Sequence, residues 1–280
     1  MALNLDAIGK KIGPITKSYT WRDVILYALG IGSGVGELSY VYEKDLKVIP
    51  TFSIASIVQF FFEASHLANV NLSGVLHGGQ ELIFHSPIPT SGTMTTGGRI
   101  THFYDKKEKG AIIIGESDTH HSNGDKLFTA IFTIFSRLDG GFGGEDAPLR
   151  SISIPDRRAD MVVEARPSPD QPLLYRLSGD VFALHVDPEF ARKAGFEKPI
   201  MHGLCTLGYA CRALMASFTP GKPELVRRLN CRFTRPLYPG DPIETLVWEI
   251  GTGKAVWRTK NVKTGETVID GGEFEFGDIS

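Results

Sequence analysis

The sequence predicts an α+β protein made of two similar halves. Each half is a strongly curved antiparallel sheet wrapped around one long apolar helix. Two observations carry this expectation: a set of motifs that recurs in the same order in both halves, and one long helical pattern per half among alternating strands.

Each half contains a His-Gly pair, His77-Gly78 and His202-Gly203. Each contains a Phe-x-x-Pro-aliphatic turn, Phe84 to Ile88 and Phe233 to Leu237, followed by a second proline and a glycine, Pro89 with Gly92 and Pro239 with Gly240. Each half closes with a turn and an alternating strand, Asn123-Gly124-Asp125 before Lys126–Phe135 and Thr264-Gly265-Glu266 before Thr267–Phe276. The helix candidates are Ser53–Ala68, with Ile54, Ile57, Phe61 and Phe62 on one face, and Gly203–Phe218, with Leu204, Leu207, Cys211 and Leu214 at helical spacing. A helix that is apolar on several sides needs a sheet to cover it. The Gly- and Pro-rich stretch between residues 137 and 172 reads as a linker, which divides the chain into domains 1–150 and 151–280.

A chain of 280 residues that is 42% hydrophobic can bury a sizeable core. Its 30 basic and 32 acidic residues give a net charge of −2, which argues against nucleic acid or an anionic membrane as the main partner. The three cysteines, Cys205, Cys211 and Cys231, show no CxxC spacing and suit a reducing, cytoplasmic setting. The segment Met1 to Gly13 lacks the apolar run of a signal peptide. No stretch approaches the roughly 18 apolar residues of a membrane span, and Gly277 to Ser280 is not a peroxisomal address.

The segment most able to do chemistry runs from Tyr175 to Pro188. Asp180 and His185 lie five residues apart. In a regular helix that spacing rotates them by about 140°, so they converge only if the chain turns between them. Gly179 permits such a turn. A helix start follows, with Asp187 as N-cap, Pro188 in the first turn and Gly195 after Glu189–Ala194. An acid and an imidazole together can bind a water and move its proton. Alone, the pair reads as a turn cap and an ordinary histidine. Further on, Pro199 to Thr206 feeds the second long helix. A free amide at Gly203 could stabilise a developing oxyanion, or the glycine could serve only close packing.

Together these segments resemble the hydratase-2 (MaoC-like) family of R-specific enoyl-CoA hydratases. Its signature is a Tyr, then Ser-Gly-Asp-x-Asn-Pro-Leu-His, then Pro-Ile-x-His-Gly-Leu-Cys. Tyr175, Ser178, Gly179, Asp180, Leu184, His185 and Pro199 to Cys205 match it, Met201 being the variable position. Tyr27 to Gly32, Leu38 to Glu43, Pro50-Thr51-Phe52 and Val75 to Gln80 match the first half in the family's order. The resemblance implies a double hot-dog fold, an acyl-CoA thioester substrate, no metal, no other cofactor and a homodimer. It implies that Asp180 and His185 activate the water and that Gly203 donates to the thioester oxygen. It further implies that His77, Gly78, Lys106, Val181, Phe182, Ala183, Leu184 and Phe233 line the acyl-CoA site. Phe182-Ala183 stands where the family carries Asn-Pro. This departure leaves open an unusual branched or dicarboxylic acyl-CoA, or binding without efficient hydration. Gly79 stands where relatives usually carry an acid.

Four other signals carry little. The run Gly30, Gly32, Gly34, Gly36 has the wrong spacing for a dinucleotide fingerprint and reads as a loop. His120-His121 lacks a partner at metal-ligand spacing. Arg227, Arg228, Arg232 and Arg235 read as a charged strand face or as contacts to CoA phosphates. Asn71-Leu72-Ser73 is a glycosylation acceptor pattern without meaning in a cytoplasmic protein.

Overall fold

The computed structural model describes residues 2–148 and 152–278. The first half runs β1 (Lys11–Tyr19), α1 (Trp21–Gly30), α2 (Leu38–Val41), α3 (Ile54–Leu67), β2 (Val75–Phe84), β3 (Gly92–Asp105), β4 (Ala111–His121) and β5 (Lys126–Ser136). The second runs β6 (Met161–Ala165), α4 (Gln171–Tyr175), α5 (Pro188–Lys193), α6 (Gly203–Phe218), β7 (Val226–Phe233), β8 (Ile243–Gly251), β9 (Lys254–Asn261) and β10 (Thr267–Phe276).

The ten strands form one antiparallel sheet in the order β1-β3-β4-β5-β2-β7-β10-β9-β8-β6. Read outward from the central β2–β7 pair, the two halves follow the same order, β2-β5-β4-β3-β1 and β7-β10-β9-β8-β6. The sequence repeat is thus a structural one, and the arrangement is a double hot-dog. Across the seam Gly79 pairs with Arg232, Glu81 with Asn230 and Ile83 with Arg228. The Arg228 guanidinium bonds Glu81 at 2.7 Å and also reaches Glu273 and Glu275. Its charge is therefore spent on binding the two half-sheets together, which removes Arg228 from the candidate CoA contacts.

The two long helices lie where the hydrophobic pattern put them. Helix α6 spans the expected residues, and α3 is one residue shorter at each end, preceded by a 3-10 turn at Pro50–Ser53. Most of α6 is buried, because sheet covers one side and α1 the other. The approach of α1 depends on glycine. A Cβ on Gly208 would stand 2.4 Å from Ile31, and one on Gly32 would stand 2.5 Å from the Tyr209 ring. Gly32 also takes φ +83°, where an L side chain is strained. Gln171 of α4 donates to the Gly30 carbonyl at 2.6 Å, satisfying an orphan acceptor at the end of α1.

The largest apolar cluster consequently draws on both halves, joining Val24, Tyr27, Ile31 and Phe52 to Leu207, Leu214, Leu229 and Phe274. The sequence assigns α1 to the first domain, yet it packs on α4 and the helix core of the second. The domain boundary expected at 150 falls on 149–151, outside the described residues, as do the C-terminal Ile279 and Ser280. Cys205, Cys211 and Cys231 are buried and unbonded.

Gly32→Ala should lower the unfolding free energy by about 1–3 kcal/mol from backbone strain alone. Gly34→Ala, whose Cβ meets nothing within 4 Å, serves as the control. Urea unfolding of the two variants checks this, and equal midpoints would remove Gly32 from the docking of α1.

Candidate active site

A cavity of about 410 Å3 opens at the β2–β7 seam, between the two long helices. Helix α3 contributes Ile57, Val58, Phe61 and Phe62 to it, so two of the aromatic residues of its apolar face serve the cavity as well as the core. Strand β2 supplies His77, Gly78 and Gln80, and the turn after β7 supplies Thr234 to Leu237. Asp180, His185 and Gly203 all line this cavity, with Phe182, Leu184 and Phe233.

Local chemistry explains how the chain presents Asp180 and His185 together. Gly179 turns at φ +134°, and a 3-10 turn at Ala183–His185 reverses the chain. Asp187 then caps α5, accepting from the Glu189 and Phe190 amides at 2.8 and 3.1 Å. The His185 Nδ1–H donates to the Ile200 carbonyl at 2.9 Å. A carbonyl can only accept, so Nε2 keeps the lone pair. A carboxylate oxygen of Asp180 and one ring nitrogen each of His185 and His202 lie within 4.8 Å of one another.

Burial governs the electrostatics of the pair. It pushes the Asp180 carboxyl up, against the opposing pull of His185 and the Phe182 amide. It pushes the His185 imidazole down, against the pull of Asp180 and the Ile200 carbonyl. The two proton affinities are moved toward each other, which lowers the cost of passing a proton through the pair. The His185 and His202 rings stack at 3.8 Å with 27° between planes.

Gly203 is the first residue of α6, where backbone amides have no intrahelical acceptor. Its missing side chain is also steric, since a Cβ would stand 3.1 Å from the Phe233 ring. His77 stacks on Phe61 at 4.9 Å and meets Phe233 edge-on at 5.3 Å. Its Nε2 is buried and has no hydrogen-bond partner among the described residues. Burial pushes its pKa down to about 4, against smaller upward pulls from the Gly79 backbone and Gln80.

Three expected lining residues stand elsewhere. Val181 is 59% exposed, because the turn at Gly179 directs it to solvent. Ala183 is not part of the lining, since its turn brings Phe182 and Leu184 to the cavity instead. Lys106 sits in the hairpin turn after β3, its amide bonded to the Gly110 carbonyl at 2.8 Å, and lies outside the cavity. Sequence reasoning missed Arg137, Gln80 and Thr234 of the lining, and the role of His202 behind it. Arg137 donates to the Ala194 carbonyl at 2.9 Å and lies over Phe196. No motif surrounds it, so only the register of β5 reveals it. Of the four arginines singled out near β7, Arg235 alone reaches the cavity.

The pseudo-two-fold relation puts a second cavity, of about 340 Å3, beside the first Phe-x-x-Pro turn. It is lined by Phe84, Pro87, Ile88 and Val226 among others, with Lys47, Glu224 and Arg227 but no aspartate or histidine. Of these two cavities, only the first has an aspartate and a histidine among its described lining residues.

Residues 18–138 match the family model of the MFE-2 hydratase 2 N-terminal domain, and residues 151–271 match that of the MaoC-like domain. The chain is 38% identical over 275 residues to the probable enoyl-CoA hydratase 2 of Dictyostelium discoideum, covering 95% of this chain and 93% of that one. It is 35% identical over 288 residues to the 3-hydroxyacyl-thioester dehydratase Y of Mycobacterium tuberculosis, covering 99% of each. A MaoC-like dehydratase from Phytophthora capsici superposes with a TM-score of 0.85 at 32% identity, over 99% of this chain and all of that one. The chain belongs to the hydratase-2 (MaoC-like) family.

A histidine titrates near 6.5 when unfolded, and His77 does so near 4 when folded. The unfolded chain therefore binds more protons between those values. The stability is full above about pH 6.5 and is lost as pH falls toward 4, by on the order of 2 kcal/mol at pH 5 for this one group. His185 and His202, also pushed down by burial, act in the same direction. His77→Phe should thus show a smaller fall in Tm between about pH 7 and pH 5 than wild type. An unchanged Tm–pH slope would show that His77 does not carry this share.

Proposed function

We propose that the protein hydrates trans-2-enoyl-CoA to (3R)-3-hydroxyacyl-CoA, reversibly. The observation that carries this reading is that Asp180, His185 and Gly203 all line one largely apolar cavity, with ligand atoms of Asp180 and His185 within 4.8 Å of each other. Asp180 and His185 hold a water between them. As its oxygen adds to Cβ, the pair takes one of its protons and the Cα=Cβ electrons move toward the thioester. The negative charge that gathers on the thioester oxygen is met by the Gly203 N–H. The pair then returns a proton to Cα, so one water is added overall and the pair regains its starting protonation state. The step transfers no electrons to an outside acceptor and draws on no redox cofactor or metal. CoA is part of the substrate.

The acyl chain occupies the aromatic part of the cavity, beside Phe61, Phe62 and Phe182. Arg137 and Arg235 in the lining offer cations to the CoA phosphates. Asp105, Ala111 and Ser136 are in register across β3, β4 and β5, so the Lys106 turn lies at the same sheet end as Arg137. Lys106 thus meets CoA outside the cavity. Phe182 packs against Phe62 and Phe190 at 6.0 and 5.2 Å and offers no polar contact to the water. The rate and acyl preference of this chain are set around it.

Loss of absorbance of crotonyl-CoA and of longer enoyl-CoAs tests the reading. Asp180→Asn and His185→Gln should each lower kcat by orders of magnitude, about 100-fold or more. Phe182→Asn should raise it. An inactive wild type that still binds acyl-CoA would defeat the hydratase reading, and a near-normal rate in either dyad variant would remove that residue from the mechanism.

The reading extends to a cytoplasmic homodimer. Three free, buried cysteines suit a reducing compartment. No described helix is long and apolar enough to cross a membrane. Leu29, Leu173, Leu177 and Val181 stay exposed on α1, α4 and the turn that follows, segments that pack together. Light scattering should give twice the chain mass for wild type and a smaller mass for Leu177→Asp. A monomeric wild type would overturn the dimer.

A further inference from the structure

We propose that His202 is the positioning residue of the Asp180–His185 pair, holding both partners from behind and fixing their distance to the Gly203 amide. The inference rests on the hydratase reading for its consequence but on geometry for its substance. His202 is fully buried and is not part of the cavity lining, so it does not touch substrate.

Its own placement is firm. The Thr206 amide and hydroxyl both donate to the His202 carbonyl, at 3.1 and 3.3 Å, and the Met201 amide donates to Leu237 at 2.8 Å. From this anchor the side chain reaches the loop that carries the acid. Its Nε2–H donates to the Asp180 carbonyl at 3.1 Å. The rest of the loop is held by its own turns, the Gly179 amide donating to the Arg176 carbonyl at 3.1 Å and the His185 amide to the Phe182 carbonyl at 3.3 Å. Asp180 itself makes one local bond, to the Phe182 amide at 3.3 Å, beside exposed Val181 and the Gly179 turn. The His202 ring also stacks on His185 at 3.8 Å, while Tyr175 packs on His202 at 4.8 Å. His202 is thus a wedge between Tyr175 and the catalytic imidazole.

The groups facing His185 are Asp180, His202, the Ile200 carbonyl and the Phe182 ring; those facing His202 are His185, the Asp180 carbonyl, Tyr175 and Arg176. Nδ1 of His202 has no acceptor or donor among the described residues. Burial, His185 and Arg176 all push its proton affinity well down, so the ring stays neutral. A neutral ring can stack on His185 in either of its protonation states without repulsion. Because His202 and Gly203 are consecutive at one helix start, a single rigid element sets both the water-activating pair and the oxyanion donor. Small displacements matter there, since about 1 Å of misplacement can cost about 100-fold in rate.

Two variants separate the tether from the stack. His202→Phe keeps a ring against His185 but loses the N–H to Asp180. Its kcat should fall about 100-fold, with KM within about threefold and the His185 titration unmoved. His202→Gln keeps an N–H donor but exposes the His185 face. It should recover most of kcat, while the His185 titration rises toward about 6.5. The His185 ring signals are followed by NMR against pH, a readout that needs no turnover, and Tm is measured for both variants. If wild type turns over and His202→Phe keeps its kcat, the positioning role is wrong. If wild type does not turn over, the hydratase reading fails, and an unmoved His185 titration in His202→Gln then overturns the positioning role separately.

Discussion

The antiparallel pairing of β2 with β7 is the contact on which the rest of the molecule depends. It turns two half-sheets into one and brings residues of both long helices to one cavity. The cavity exists only there, since β2, α3, the β7 turn and the start of α6 each supply part of its wall. Backbone hydrogen bonds set the register, and the Arg228–Glu81 pair with Glu273 and Glu275 reinforces it in a partly buried position. Removing the cation would leave three carboxylates facing one another, a larger penalty than the loss of one surface salt bridge.

Docking of α1 on α6 is the second constraint. It costs two side chains, at Gly32 and Gly208, and gains a shared core in which both halves lose apolar surface to the same cluster. The duplicated halves share one apolar core for this reason. It also explains why α6 can be buried nearly all round while its first turn remains open to the cavity. A helix start with free amides facing an apolar, water-poor space is where an oxyanion donor is strongest. The same burial moves Asp180 up and His185 down, so packing and proton chemistry have one origin.

The duplication is exact enough to leave two cavities but only one with an acid–imidazole pair. Geometry alone therefore does not make the site. The second half has a loop, from Tyr175 to Pro188, that brings Asp180 and His185 to the cavity, whereas the stretch between β1 and α3 brings no described aspartate or histidine to the second cavity. Phe182 in that loop packs against Phe62 and Phe190 beside the acid–imidazole pair, so an apolar ring stands in the cavity wall there.

Much of this was legible in the residues themselves. The repeat, both long helices, the final strands of each half and the Asp187 cap follow from local pattern, because periodicity and capping are near-neighbour properties. The acid–imidazole pair and Gly203 were legible as a motif, though their convergence needed the turn at Gly179. What the sequence could not show was anything decided between distant elements. The arrival of Arg137 at the cavity, the exclusion of Val181, Ala183 and Lys106 from it, and the passage of α1 across to the other half all depend on register and docking. His202 is the clearest case. Its place beside Gly203 is sequence, but its grip on Asp180 spans 22 residues and its stack on His185 spans 17, and only the tertiary fold closes those distances.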